Sequence, residues 1–228
     1  MIIIRHNALQ KDFYGWVRKY PLINELVDKL SSEGDLLLFG GSVRNYFENQ
    51  FKTLPRDFDI VVNTTNEIDS YFKDYNFTKN RYGGFKVSIC GIEFDIWTLE
   101  NTWAFKEKKV SIAEKNLTET VFLNLDSIVY NLSKGLLYSK LYEKALQTKT
   151  LDVVLHENPY VELNLLRALV FKKKYGFNLS CSLINYFRDC DSYHKDFFSI
   201  LHDIQYSHYG KEILSKNEIY KEVSKIVS

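Results

Sequence analysis

The chain has 228 residues, of which 45% are apolar and 26% charged, enough for one large domain or two small ones with a substantial core. Thirty basic against 29 acidic side chains leave a net charge of +1, which excludes a protein held on nucleic acid by bulk charge alone. Three cysteines, Cys90, Cys181 and Cys190, with no C-x-x-C pair, exclude a disulfide framework or a cysteine-type zinc site. No stretch is apolar for about 18 residues, so neither a signal peptide nor a membrane span is expected, and the reduced cysteines fit the cytoplasm. In chain order, residues 8–31 carry Leu9, Phe13, Trp16 and Val17, then Leu22, Leu26, Val27 and Leu30 at helical spacing, broken by Pro21. Residues 35–39 form an apolar run that ends in Gly40-Gly41 and reads as a buried strand. Ser42 is expected to N-cap a short helix through about Phe47. A strand is expected over 58–62, a helix over 66–74, and strands over 75–78, 84–89 and 92–99. Gly91 supports a tight turn between the last two, and Cys90 reads as a small core residue on the strand before it. Beyond residue 115 the apolar spacing predicts helices around 121–130, 136–147, 161–174 and 183–201. The expected organisation is an α/β domain over 1–115 followed by an all-helical domain over 116–228.

Three features of the first part carry chemistry when taken together. Gly40-Gly41-Ser42-Val43-Arg44 is a strand, a glycine turn and a helix start. Glycines there let a ligand approach the backbone, the helix start offers free N–H groups to a triphosphate, and Arg44 adds a cation. In Asp57-Phe58-Asp59 the two carboxylates point to one face of a strand. Paired carboxylates repel unless a cation lies between them, and Mg²⁺ suits them because it takes oxygen ligands and shares itself with substrate phosphates. Asp95, in Phe94-Asp95-Ile96-Trp97, becomes a third carboxylate of the same site if its strand pairs beside the first.

These motifs resemble the nucleotidyltransferase head of the bacterial poly(A) polymerase and class II CCA-adding enzyme family, a branch of the DNA polymerase beta superfamily. The family pattern GGxVRD reads here Gly40-Gly41-Ser42-Val43-Arg44-Asn45, the D-x-D strand reads Asp57-Phe58-Asp59, and the later acid is Asp95. The resemblance implies an α+β fold with a small mixed sheet and flanking helices, followed by a helical neck. It implies Mg²⁺-dependent transfer (Mn²⁺ as an alternative metal) of a nucleoside monophosphate from an NTP to a hydroxyl, with release of pyrophosphate. Asp57, Asp59 and Asp95 would act at the metals, and Gly40, Gly41, Ser42 and Arg44 would face the triphosphate. An RNA 3′ end of tRNA type is the acceptor the resemblance implies; a small molecule or a protein side chain, or nucleotide binding without transfer, are the alternatives. The likeness extends over roughly 30–180, where Leu125–Asn131 and Leu165–Phe171 match later segments. The chain departs from the pattern at Asn45, at Thr120-Val121-Phe122 in place of paired arginines, at Asp126 in place of Asn, and at Tyr160–Asn164 in place of the base-reading motif. Lys172-Lys173-Lys174 beside Arg167 forms a basic helix face with interleaved aromatics, a candidate RNA contact.

Overall fold

A computed structural model describes the backbone from Ile2 to Ser228 and side chains from Ala8 onward. The elements in order are α1 (Ile2–Val17), α2 (Pro21–Glu33), β1 (Asp35–Phe39), α3 (Gly41–Asn49), β2 (Asp57–Asn63), β3 (Asn76–Lys79), β4 (Phe85–Ile89), β5 (Ile92–Thr98), α4 (Trp103–Lys106), β6 (Val129–Asn131), β7 (Leu136–Tyr138), α5 (Lys140–Thr148), β8 (Thr150–Leu151), α6 (Val161–Tyr175), β9 (Asn178–Leu179), α7 (Cys181–Tyr193), α8 (Phe197–Tyr209) and α9 (Lys216–Val227). The chain divides into two compact units. The first comprises 1–120 and 126–140, the second 121–125 and 141–228. No helix of the described residues is long and apolar enough to cross a membrane.

In the first unit, seven strands among the described residues make one mixed sheet in the order β3-β4-β5-β2-β1-β6-β7. β2 and β5 run parallel, and the other neighbours are antiparallel. Strand alternation sorts the side chains to two faces. Phe58, Ile60 and Val62 of β2 point one way and are buried, as are Phe94 and Ile96, which pair with Phe58 and Ile60 across β5. α1 and α2 supply the matching apolar stripes, Leu9, Phe13, Trp16 and Val17, then Ile23, Leu26, Val27 and Leu30. Pro21 opens α2 at its first turn, where its missing N–H costs nothing. On the other face Leu37, Val61 and Val129 bury Leu99, Phe105 and Leu117 from the segment after β5. Between α2 and β1, Gly34 is required by space: a Cβ there would lie 2.2 Å from the Asn63 carbonyl oxygen.

A polar network closes this second face. Glu114 accepts from Asn63 Nδ2 at 2.7 Å and Asn131 Nδ2 at 3.0 Å, and Lys134 Nζ bridges Glu114 (3.0 Å) and Asp35 (2.5 Å). The Lys134 ammonium, ahead of burial and the other hydrogen bonds, holds the Asp35 carboxyl below its ordinary range. A depressed carboxyl contributes stability above its unfolded value near pH 4 and loses it as pH falls through the lower folded value. Asp35→Asn is therefore expected to cost about 1 kcal/mol at pH 7, since Lys134 is half exposed, and progressively less as pH falls below the unfolded value near 4. Urea midpoints of the two proteins at pH 7 and through the acid range check this, and a gap that does not narrow on acidification contradicts it.

Several elements differ from expectation. The helix predicted over 121–130 gives way to a 3₁₀ turn, Asn124–Asp126, and the start of β6, while the one predicted over 136–147 begins as β7 and is helical only from Lys140, as α5. β6 is buried at all three positions and β7 is three residues long, so neither shows the period-2 alternation that marks a strand. The helix expected over 66–74 is a four-residue 3₁₀ turn, Asp69–Phe72. Cys90 is exposed in the β4–β5 turn at φ 54°, next to Gly91 at φ 76°, the left-handed pair that a two-residue hairpin needs. The run predicted over 183–201 is two helices, because Asp196 caps a new one by accepting from Ser199 N–H.

The second unit is mainly helical, with a two-residue pairing of β8 with β9 and a single antiparallel bridge between Leu123 and Val153. Its helices have strong start signals. Ser180 accepts from Leu183 N–H, and Ser215 with Glu218 makes a reciprocal capping box. Gln205, fully buried on α8, accepts from Ile213 and Leu214 N–H and donates to the Leu214 carbonyl, fixing the entry to α9. On the basic face of α6, Lys172 and Lys173 pair with Glu222 and Glu218 of α9 at 2.5 and 2.6 Å. Lys174 lies over the Tyr175 ring and Arg167 over Phe171.

Candidate active site

The site is built on β1, β2, β4, β5 and the glycine turn into α3, all in the first unit. Gly40 takes φ 52°, ψ −114°, and its N–H donates to the Ile128 carbonyl at 2.8 Å, so β1 ends against the segment before β6. Gly40, not Ser42, is the N-cap of α3. The Ser42 hydroxyl, fully buried, instead accepts from the Asp59 N–H at 2.9 Å and reaches the Asp57 carbonyl at 3.4 Å. That hydroxyl ties the glycine turn to the strand that carries both aspartates. A Cβ on Gly41 would meet Asp59 Oδ2 at 3.9 Å and Arg44 Nη2 at 3.8 Å, so turn, carboxylate and guanidinium converge on one point.

Asp57 and Asp59 share the face of β2 that they were expected to share, and parallel register sets Asp59 directly beside Asp95 and Asp57 beside Glu93. β4 then sets Lys86 beside Asp95. The structure thus brings Asp57, Asp59 and Asp95 to one face of adjacent strands, with the Gly40–Ser42 turn at its edge. Basic groups stand on these acids. Arg56 donates to Asp57 Oδ2 from Nε (3.2 Å) and Nη2 (2.7 Å), and Lys86 Nζ lies 3.5 Å from Asp95 Oδ1. Arg44 Nη1 is bound to Asp126 Oδ1 at 2.5 Å in a pair that is almost wholly buried. Burial pushes the Asp95 carboxyl up; Lys86 opposes this and the Asp57 charge adds to it.

Oxygen donors at same-face positions suit a hard cation, and Mg²⁺ needs only one or two protein carboxylates when phosphates complete its shell. The donor chemistry of Asp57 and Asp59 fits that requirement. Among the described residues, no three His, Cys, Asp or Glu side chains converge closely enough to hold a metal between them. Arg56, Lys86 and the partnership of Arg44 with Asp126 were not singled out from the sequence. Alternation in Phe85-Lys86-Val87 places Lys86 opposite its apolar neighbours, but only strand register places it on Asp95.

No family model matches the chain, and no curated protein matches it by sequence. Solved structures do. A CCA-adding enzyme with ATP matches with a TM-score of 0.61 at 16% identity, over 90% of this chain and 52% of that one. The apo form of a CCA-adding enzyme gives 0.62 at 16% identity over 90% and 51%, and an apo tRNA-processing enzyme 0.57 at 18% over 84% and 52%. The chain shares its fold with these CCA-adding and tRNA-processing enzymes. At these identities the likeness concerns the fold, and the chain spans about half the length of the structures it matches.

Proposed function

We propose that the protein transfers a nucleoside monophosphate from an NTP to an acceptor hydroxyl with release of pyrophosphate, the acceptor being an RNA 3′ end of tRNA type. The observation that carries this reading is Asp57 and Asp59 on one strand face, tied through Ser42 to the glycine turn and matched in register by Asp95. The matching folds include CCA-adding enzymes with ATP and with CTP, which supports an NTP as substrate. The helical second unit takes the part of a neck.

In this reading Asp57 and Asp59 hold Mg²⁺ or Mn²⁺ together with the substrate phosphates. Bound there, the metal supplies charge neutralisation at the transferred phosphoryl and acidifies the attacking hydroxyl. The residues of the chain do the positioning. The N–H groups after Gly40 and the Nη2 edge of Arg44 orient the β- and γ-phosphates, so that pyrophosphate departs opposite the incoming hydroxyl. Asp126 fixes the Arg44 guanidinium through Nη1. Asp95 assists from β5 as a carboxylate whose proton affinity burial has raised.

The test is a transfer assay with each α-labelled NTP in Mg²⁺ or Mn²⁺, with cellular RNA, with a small-molecule extract, and with no acceptor. Label on RNA is expected, with acceptor binding that weakens steeply as salt rises, because each neutralised phosphate releases counterions. Label on a small molecule or on the protein would keep the chemistry and remove the RNA acceptor. NTP binding without label transfer would make the protein a nucleotide-binding module.

A further inference from the structure

The carboxylate face carries its own cations. Asp57, Asp59, Glu93 and Asp95 occupy same-face positions of β2 and β5, an arrangement whose mutual repulsion has to be relieved in the folded chain. Arg56 binds Asp57 through two nitrogens, and Lys86 stands at the register position of Asp95 with its Nζ 3.5 Å from the carboxylate. Both basic side chains are about half exposed, so they can leave their partners for solvent without breaking the core. With Asp57 turned to Arg56 and Asp95 to Lys86, the acids do not gather on one centre.

The geometry points to Arg56 and Lys86 as displaceable counter-cations, which balance the carboxylate face when no metal is there and which a divalent ion must displace to fill it. This rests on the proposed function for the presence of a metal. What it adds is a role for two residues outside the motifs and an order of events. Free divalent ion binds weakly to the chain alone, and the site fills when a nucleotide brings phosphate ligands along with the metal. Removing either cation removes a competitor and a repelling unit charge several ångströms from the metal, worth about 3–10-fold in affinity for a divalent ion.

The experiment is a Mn²⁺ titration without nucleotide, followed by paramagnetic resonance of the free ion. It compares the full chain with Lys86→Met, Arg56→Gln and the double variant. Lys225→Met on α9, in the second unit, makes the same change in net charge and serves as control. Asp57→Ala and Asp59→Ala mark the site. Tighter Mn²⁺ binding by about 3–10-fold in each single variant, more in the double, and none in the control supports the proposal. The same variants are expected to melt lower without Mn²⁺ and to gain more from it than the parent. Binding that is lost in Asp57→Ala and Asp59→Ala but unchanged or weaker in Lys86→Met and Arg56→Gln overturns the counter-cation role and leaves the metal site standing. No binding in any protein, the double variant included, overturns the counter-cation role; binding indifferent to Asp57→Ala and Asp59→Ala overturns both, and the aspartate variants are what tell the two failures apart.

Discussion

Asp59→Ala is expected to lower nucleotidyl transfer at least about 1,000-fold while the protein stays folded. Loss of a factor of 1,000 corresponds to about 4 kcal/mol of transition-state stabilisation, the scale of removing a group that holds the charge-neutralising ion. The prediction separates function from folding because of where Asp59 stands. Its side chain points away from the apolar core that Phe58 and Ile60 build, into a face already crowded with Asp57, Glu93 and Asp95. Removing one of several like charges relieves repulsion, so the thermal midpoint should move by no more than a few degrees. The backbone N–H that Asp59 donates to Ser42 is untouched by the substitution, so the glycine turn stays docked. Asp57→Ala should behave alike. Single-turnover rates with saturating NTP and metal, alongside circular dichroism melts, are the measurement. Near-normal turnover in either variant would remove the aspartate pair from the chemistry.

The second large effect is on stability. Phe58→Ala is expected to cost about 3–5 kcal/mol, the range for truncating a fully buried aromatic. Phe58 has no exposed surface and lies at the centre of an aromatic cluster. Its ring stacks on Trp16 at 4.7 Å and on Phe94 at 5.5 Å, and meets Phe13 at 6.0 Å and Phe51 at 5.6 Å edge-on. Those rings come from α1, from the loop after α3 and from β5, so one truncation loosens three of the segments packed around β2. At about 2–4 °C per kcal/mol for a chain of this size, the melting temperature should fall by roughly 6–20 °C. Phe58→Leu, which refills most of the volume, should lose less than half as much. Because Phe58 stands between Asp57 and Asp59, turnover in Phe58→Ala should fall with temperature ahead of global melting. A melting shift under about 2 °C would show that the cluster does not carry the first unit.

Both predictions rest on local patterns that can be read along the chain. In Asp57–Asn63 the period-2 alternation puts the acids on one face and Phe58 and Ile60 on the other, and no distant residue is needed to see it. The Gly40-Gly41 step between an apolar run and a helix is equally local, as are Pro21 at the start of α2 and the Ser215–Glu218 capping box of α9. Where a helix or strand is long enough to show its period, spacing alone finds it: α2, β1, β5 and α6 lie within a residue or two of their expected limits. Short elements escape, because three apolar residues carry no period. β6 and β7 are such elements, and they extend the sheet past β1 rather than starting a helical domain. Cys90 illustrates the same limit at one residue, since a side chain in a two-residue turn is told from one in a strand by φ, not by type.

The sequence by itself determined the residue types of the site and their local facing: two acids at i and i+2, a glycine turn before a helix, and an acid between Phe94 and Ile96. Those follow from the strand period and from the freedom of glycine, which act over a few residues. Tertiary structure decided which distant groups meet. Parallel register set Asp95 beside Asp59 instead of one position away, a slip that would have turned it to the core. Antiparallel register set Lys86 on Asp95, and chain return across 82 residues set Asp126 on Arg44. Such pairings depend on how strands and loops share one core, and no local preference of Lys86 or Asp126 encodes a partner that the chain reaches only when the sheet has closed.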